Sequence, residues 1–232
     1  MQWPDVTTAK VLFPSLDESE KTTPFFSQYQ PVWHILEPSG ELCLKTQLQE
    51  LLSRCNEQES LDLSECPATF DDSNGTIFIE PSAIIESGTH IIGPCYIGAN
   101  VQIRHGAYIR QNSWICRDAV VGHCSEVKHS ILLPGAKAPH FNYVGDSILG
   151  SSVNLGAGVK LSNLRNDGGE VFTRLNGERI GTGLRKFGAI LGEGCQLGCN
   201  SVTNPGVVLG PNSMVAANST ITGIHISLEQ SV

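Results

Sequence analysis

An all-β chain wound into a coil of short parallel strands is the fold class this sequence predicts, and three observations carry that expectation. From Ile79 an aliphatic residue recurs every six positions, through Ile85, Ile91, Ile97, Ile103, Ile109, Ile115, Val121, Val127 and Leu133. Two residues before most of these stands a small or β-branched partner, such as Ala83, Thr89, Cys95, Val101 and Ala107. The composition agrees: 24 glycines in 232 residues and only 6% aromatics suit a turn-rich β protein.

A period of six fits neither a helix of 3.6 residues per turn nor a meander of reversing strands. It fits short parallel strands joined by tight turns, three hexads closing one triangular coil, with coils about 4.8 Å apart. The rhythm resumes at Leu149, Leu155 and Leu161, and again at Leu191, Leu197, Thr203, Leu209, Val215 and Ile221. The nineteen hexads so counted predict about six coils.

Three further regions flank or interrupt the coil. Residues 1–75 form an acidic, partly helical N-terminal segment. Within it Leu44, Leu48, Leu51, Leu52 and Cys55 line one helical stripe, a helix expected to cover the open end of the prism, since a solenoid needs a cap. The coil itself is expected over residues 76–223. Inside it, residues of about 164–187 read as an inserted β-hairpin, because Asn176-Gly177 stands between two β-compatible runs. Residues 224–232 are a short tail.

The formal charge is −8 but uneven: residues 1–72 hold 13 Asp and Glu against four Lys and Arg, while 11 of the 15 basic residues fall between Arg104 and Lys186. So acidic a chain argues against nucleic acid as a partner, and a small anionic ligand suits the basic middle better. No basic-then-apolar leader and no run near the ~20 apolar residues of a membrane span is present, so a cytoplasmic protein without membrane partners is expected. None of the eight cysteines forms a CxxC pair, and free thiols are expected.

Spacing also suggests a site. Arg110 and Lys128 each follow an interior aliphatic residue and lie 18 apart, so they should stack on one outer face. Like charges held that close repel unless an anion joins them, and phosphate is the natural candidate; two solvated surface cations are an equally good reading. His140 and Tyr143 fall in KAPHFNYVGD, in the 16-residue interval between Leu133 and Leu149. That interval predicts a loop leaving the prism, where a histidine could serve as a general base. Spacing alone favours a histidine merely hydrogen-bonded in that loop.

The hexads IIGPCY, YIGANV and LGSSVN resemble those of the left-handed parallel β-helix acyltransferases, and the handedness is implied by that resemblance only. The succession EVKHSI, KAPHFNYVGD, VNLGAG and SNLRNDGG resembles the acetyltransferase domain of bacterial glucosamine-1-phosphate acetyltransferase/uridyltransferases. The LNGERI region followed by GLRKFGAILG is similar to archaeal sugar-1-phosphate acetyltransferases. The resemblance implies His140 as catalytic base, Arg110 and Lys128 on the sugar phosphate, and Tyr143, Asn154 and Lys186 as further substrate contacts. It implies Asn163, Cys199 and Ala217 beside acetyl-CoA as co-substrate, a homotrimer with the coenzyme between neighbours, and no metal.

Departures qualify what is implied. No glycine-rich nucleotide-binding stretch precedes the coil, so uridyl transfer is not expected. Only about ten residues follow Ile221, where the bacterial enzymes extend an arm to the coenzyme, and Cys199 stands where they tend to place serine. Acetyl-CoA and another acyl carrier both stay open as donor. Three alternatives accompany this reading: a non-catalytic protein binding a sugar nucleotide, acyl transfer from a carrier protein to a nucleotide sugar, and a γ-carbonic-anhydrase-like zinc enzyme built on His105 and His123, which are 18 apart.

Overall fold

Strands of two to four residues separated by tight corners wind into three parallel sheets in the computed structural model, which describes residues 5–17, 19–56 and 59–226. Face A has eight strands from Thr69–Asp71 to Thr220–Ile221, face B eight from Ile77–Ile79 to Ile224–His225, and face C seven from Ile84–Ile85 to Met214–Val215. Each strand pairs with the one a coil later: Tyr108 with Glu126, Tyr96 with Trp114, Lys137 with Asn154. The expected aliphatic residues fill the interior, with Ile79, Ile97, Ile115 and Val127 fully buried in one continuous core.

The corners explain how six residues suffice per side. Asn100, Asn112, Asp118, Asn200, Asn212 and Asn218 occupy the left-handed region, with φ between 57° and 61°. Asn and Asp tolerate that conformation because their short polar side chains bond locally.

The prism is longer than the expected six coils. Thr69–Asp71 pairs with His90–Ile92 ahead of the first counted aliphatic residue, Ile224–His225 closes face B after the last, and the coil spanning the interval from Leu133 to Leu149 is complete. That interval sends no loop out of the prism, contrary to the expectation from spacing. Lys137–His140 is a face C strand and Tyr143–Gly145 a face A strand. The rhythm is instead shortened by one residue twice at the same corner: the interior passes from Val127 to Leu132 and from Val144 to Leu149, and Leu133 lies outside the prism core. Coils there therefore repeat at 17 residues, as in Ile131 opposite Ile148.

The helix Leu44–Arg54 forms as expected, but it does not close the open end. Leu44, Leu48, Leu51 and Leu52 pack with Trp33 and Phe26 in a second core that includes the outward residues of face B, Phe78, Tyr96, Trp114, Ile131, Ile148, Ile190 and Val208. Face B is thus apolar on both sides, and the N-terminal segment covers its flank; each such side chain buried contributes roughly 1.5–3 kcal/mol. Trp114 Nε1 donates to the Thr22 carbonyl at 2.9 Å across this junction. The open end is met instead by Leu61, Leu63, Ala68 and Phe70, with Leu61 N–H donating to the Ile79 carbonyl.

The inserted hairpin pairs Phe172–Leu175 with Glu178–Gly181 antiparallel around Asn176 and Gly177, whose φ values of 50° and 85° suit a tight hairpin turn. All eight cysteines are free thiols. No helix among the described residues is long and apolar enough to cross a membrane.

Candidate active site

Outward side chains of face A form two columns. In one, Tyr108, Glu126, Tyr143 and Lys160 follow in register; in the next, Lys128 stands opposite Gly145, with Arg110 one coil before it. Arg110 and Lys128 are therefore neighbours on one face, as their spacing predicts. The chain supplies an anion for each. Arg110 Nη1 donates to Glu126 Oε1 at 2.8 Å with its guanidinium 5.7 Å from the Tyr108 ring, and Lys128 Nζ donates to Asp146 Oδ2 at 3.3 Å. Repulsion between stacked cations is thus relieved by interleaved carboxylates, and the hydrogen bond that Arg110 donates to Glu126 holds its guanidinium more firmly protonated than usual.

Asn163 joins this group, its Nδ2 donating to Asp146 Oδ2. Gly145 makes the junction: a Cβ there would lie 2.6 Å from the Tyr143 hydroxyl and 2.9 Å from Asn163 Nδ2. The phenol can therefore lean across the glycine toward Asn163. Burial, followed by the charges of Glu126 and Asp146, raises the Tyr143 hydroxyl pKa above its ordinary value.

His140 lies at the other end of the same turn, on the corner between faces C and A. It ends the strand Lys137–His140 in register with His123 and is exposed. Its imidazole has no hydrogen-bond partner among the described residues, while its backbone is held twice: the N–H donates to Asn142 Oδ1 at 3.0 Å, and the carbonyl accepts from Gly158 N–H at 2.9 Å. Asn142 is buried and donates through Nδ2 to the Gly156 carbonyl at 2.9 Å. Beneath the corner, Gly122 has no room for a side chain, since a Cβ would fall 1.7 Å from the Pro139 carbonyl oxygen. The imidazole is free on a rigid mount.

Left-handed residues other than Asn and Asp also gather here. Cys124, His129 and Phe141 have φ of 50°, 45° and 53°, and Asp146 follows at 47°. A bulky residue in this region costs about 1–2 kcal/mol, and such strain concentrates where the surroundings impose a geometry.

The corner of His140 also carries Cys199 and Ala217, both exposed, in later coils, with Asn218 N–H donating to the Cys199 carbonyl at 2.8 Å. Asn154 lies on face C, in register with Lys137. Lys186, on the return from the hairpin, bridges to Leu164 and lines a cavity with Lys128. One chain therefore gathers Arg110, Lys128, Tyr143 and Asn163 on face A, His140, Cys199 and Ala217 along one edge, and keeps Asn154 on the adjoining face. Asn163, implied beside an acetyl group, stands at the cation cluster and away from the His140 edge.

His105 and His123 stack as their spacing predicts, with centroids 5.7 Å apart and planes at 12°. Their Nδ1 atoms meet the carbonyls of Ser87 at 2.6 Å and His105 at 3.0 Å. Glu126, Asp146 and His129 stand in or beside this cluster, and reading by hexads missed them. Glu126 could have been found as the outward residue two before Lys128; Asp146 is displaced from the expected register by the shortened corner.

Comparison with known proteins accords with this architecture. The profile described as the GMPPB C-terminal domain matches residues 91–217, and the chain belongs to that family. A bifunctional sugar-1-phosphate nucleotidylyltransferase/acetyltransferase from Sulfurisphaera tokodaii is 39% identical over 147 residues, covering 63% of this chain and 37% of the relative. The bifunctional protein GlmU of Methanococcus vannielii is 41% identical over 115 residues, covering 50% of this chain and 28% of the relative. The chain thus spans about a third of the length of the curated relatives it matches. Among solved structures, a hexapeptide transferase family protein from Anaplasma phagocytophilum is 16% identical and aligns over 70% of this chain and 81% of its own with a TM-score of 0.35. The solenoid of three parallel sheets is the β-helix that the hexads predict, and the sequence matches accord with it.

Proposed function

We propose that this domain is an acetyltransferase that acylates the amino group of an amino sugar bearing a phosphate at C1, with acetyl-CoA as donor. The observation that carries the reading is the pair Arg110 and Lys128, stacked on one face and each oriented by its own carboxylate, within one turn of a histidine on a rigid corner whose imidazole has no hydrogen-bond partner among the described residues. Similarity to sugar-1-phosphate nucleotidylyltransferase/acetyltransferases supports the same class of chemistry.

In this reading Arg110 and Lys128 bind the phosphate through charge-assisted hydrogen bonds, and Tyr143, Asn154 and Lys186 contact the rest of the acceptor. His140 takes a proton from the amine as its nitrogen attacks the thioester carbonyl. A C–N bond forms, the C–S bond breaks, and the imidazolium returns its proton to the departing thiolate. Asn163, Cys199 and Ala217 lie toward the coenzyme. A homotrimer completes the site: His140 and Asn154 lie off the face that holds the cations, so a neighbouring copy has to bring complementary groups together.

The test is a panel of hexosamine phosphates and their unphosphorylated sugars with acetyl-CoA, read by thiol release, alongside light scattering for the trimer. Release with a hexosamine 1-phosphate and little with the free sugar is expected. No release with any phosphorylated amino sugar would remove the catalytic reading, and a stable monomer would remove the shared site.

A further inference from the structure

A cavity of about 320 Å³ opens at the corner between faces A and B, where the shortened coils meet the N-terminal segment. Its volume is at the lower end of the range for small-ligand pockets. Four cationic residues line it, Lys45, Lys128, Arg185 and Lys186, against one carboxylate, Asp146. They come from three distant stretches of the chain: the first turn of the helix Leu44–Arg54, the coil, and the return from the hairpin. In a protein of net charge −8 this convergence of positive charge is a marked local reversal.

The walls are fixed by the fold. His129 Nε2 meets the Leu36 carbonyl at 3.3 Å, tying the N-terminal segment to the corner, and Phe187 N–H donates to the Asn163 carbonyl at 2.9 Å, tying the hairpin return. Arg185 Nε donates to the Gly168 carbonyl at 3.0 Å, which orients the guanidinium. Among the described residues Lys128 alone of the four cations has a carboxylate partner. Lys45, Arg185 and Lys186 have none among the described residues. Cations gathered at a cavity without counter-charges repel one another, and an anionic ligand is what relieves that.

The amount of charge indicates the ligand. A phosphate monoester carries about −1.5 to −2 at neutral pH; with Asp146 already offsetting Lys128, two of Lys45, Arg185 and Lys186 match one such group, and the third suits a second phosphoryl group. Lys45, Leu36 and Pro38 also lie outside residues 91–217, so this wall is an addition to the part of the chain shared with the family.

We propose that the cavity is a second anion subsite, and that the ligand of this domain carries two linked phosphoryl groups, as in a diphosphate-linked sugar, with Lys45 of the N-terminal segment engaging the outer one. This rests on Lys128 holding the inner phosphate in the reading above.

The experiment is calorimetric titration of the full chain with inorganic pyrophosphate and with orthophosphate at matched ionic strength. Pyrophosphate should bind at least about tenfold more tightly, a difference easily resolved in Kd. Lys45→Ala should bring the two within about threefold while leaving orthophosphate affinity and circular dichroism unchanged, and Lys186→Ala should act in the same direction. Arg54→Ala, altered at the far end of the helix that carries Lys45 and outside the cavity, should keep the preference. Equal affinity for the two anions in the parent, or an undiminished preference in Lys45→Ala, would overturn the proposal. Binding is read here without turnover, so absence of acetyl transfer with the pyrophosphate preference intact would count against the catalytic reading and in favour of this one.

Discussion

Lys128 Nζ and Asp146 Oδ2 lie 3.3 Å apart across a coil boundary, with side-chain exposures of 19% and 6%. The pair sits where the coil is one residue short, and Asp146 accepts from Asn163 as well. One carboxylate thereby orients a candidate phosphate-binding cation and a neighbouring amide. Removing it leaves a lysine poorly solvated and unpaired. Asp146→Ala should lower stability by roughly 1.5–3 kcal/mol, the range for hydrogen bonds to charged groups, and Asp146→Asn by less. Urea denaturation measures this; an unchanged midpoint in Asp146→Ala would mean that Lys128 is held by something else.

Arg110 differs in being more open, with side-chain exposures of 34% for it and 31% for Glu126. Its loss should be mild for folding and heavy for binding. Arg110→Ala should weaken sugar-phosphate affinity by about 1.5–3 kcal/mol and shift the unfolding midpoint little. Titration calorimetry with phosphorylated and unphosphorylated sugar checks it, and equal affinity for the two would remove the arginine from the phosphate site.

The flank of face B makes a separate prediction about stability. Trp114 is buried between the coil and the N-terminal segment and donates to Thr22. Trp114→Ala should cost about 3–5 kcal/mol, as large-to-small changes in cores do, and should increase binding of a hydrophobic dye as the segment loosens. A variant as stable as the parent would show that the segment adds nothing to the coil.

The pH dependence follows from His129. Burial, the largest influence, holds its imidazole pKa below the ordinary value, and the ammonium groups of Lys128 and Lys45 add to this; the Asp146 carboxylate and the Leu36 carbonyl oppose it. Burial likewise lowers His34. Both residues stay neutral in the fold while the unfolded chain takes up protons as pH falls below about 6.5. Stability is then full above that pH and is lost as pH descends toward the folded-state values. The urea midpoint should fall between pH 7 and 5.5, and His129→Gln should flatten the fall. A midpoint that rises on acidification would contradict it.

Much of the coil was legible because each interior aliphatic residue has a fixed period and nothing else explains it. Two features were not. Phe78, Tyr96 and Trp114 recur at 18 residues, yet a hexad pattern tracks only inward residues, so the apolar outer side of face B was hidden, and with it the place where the predicted helix docks. The shortened corners at His129 and Asp146 looked like one long interval from Leu133 to Leu149, because Leu132 and Leu133 are both leucine and only the fold distinguishes interior from exterior. That ambiguity put His140 on an imagined loop, whereas it stands on a corner braced by Asn142 and Gly122. The stacking of Arg110 and Lys128 survived because it lies before the first shortened coil.

The central claim is that His140 is the base for acetyl transfer to a phosphorylated amino sugar. Its most direct test is thiol release from acetyl-CoA with glucosamine 1-phosphate, measured for the parent and for His140→Ala together with ligand affinity. A positioned base contributes about 10² to 10⁴ in rate, so the variant should lose turnover by at least about two orders of magnitude while keeping its sugar-phosphate affinity. A variant that acetylates the sugar phosphate as fast as the parent would contradict the account.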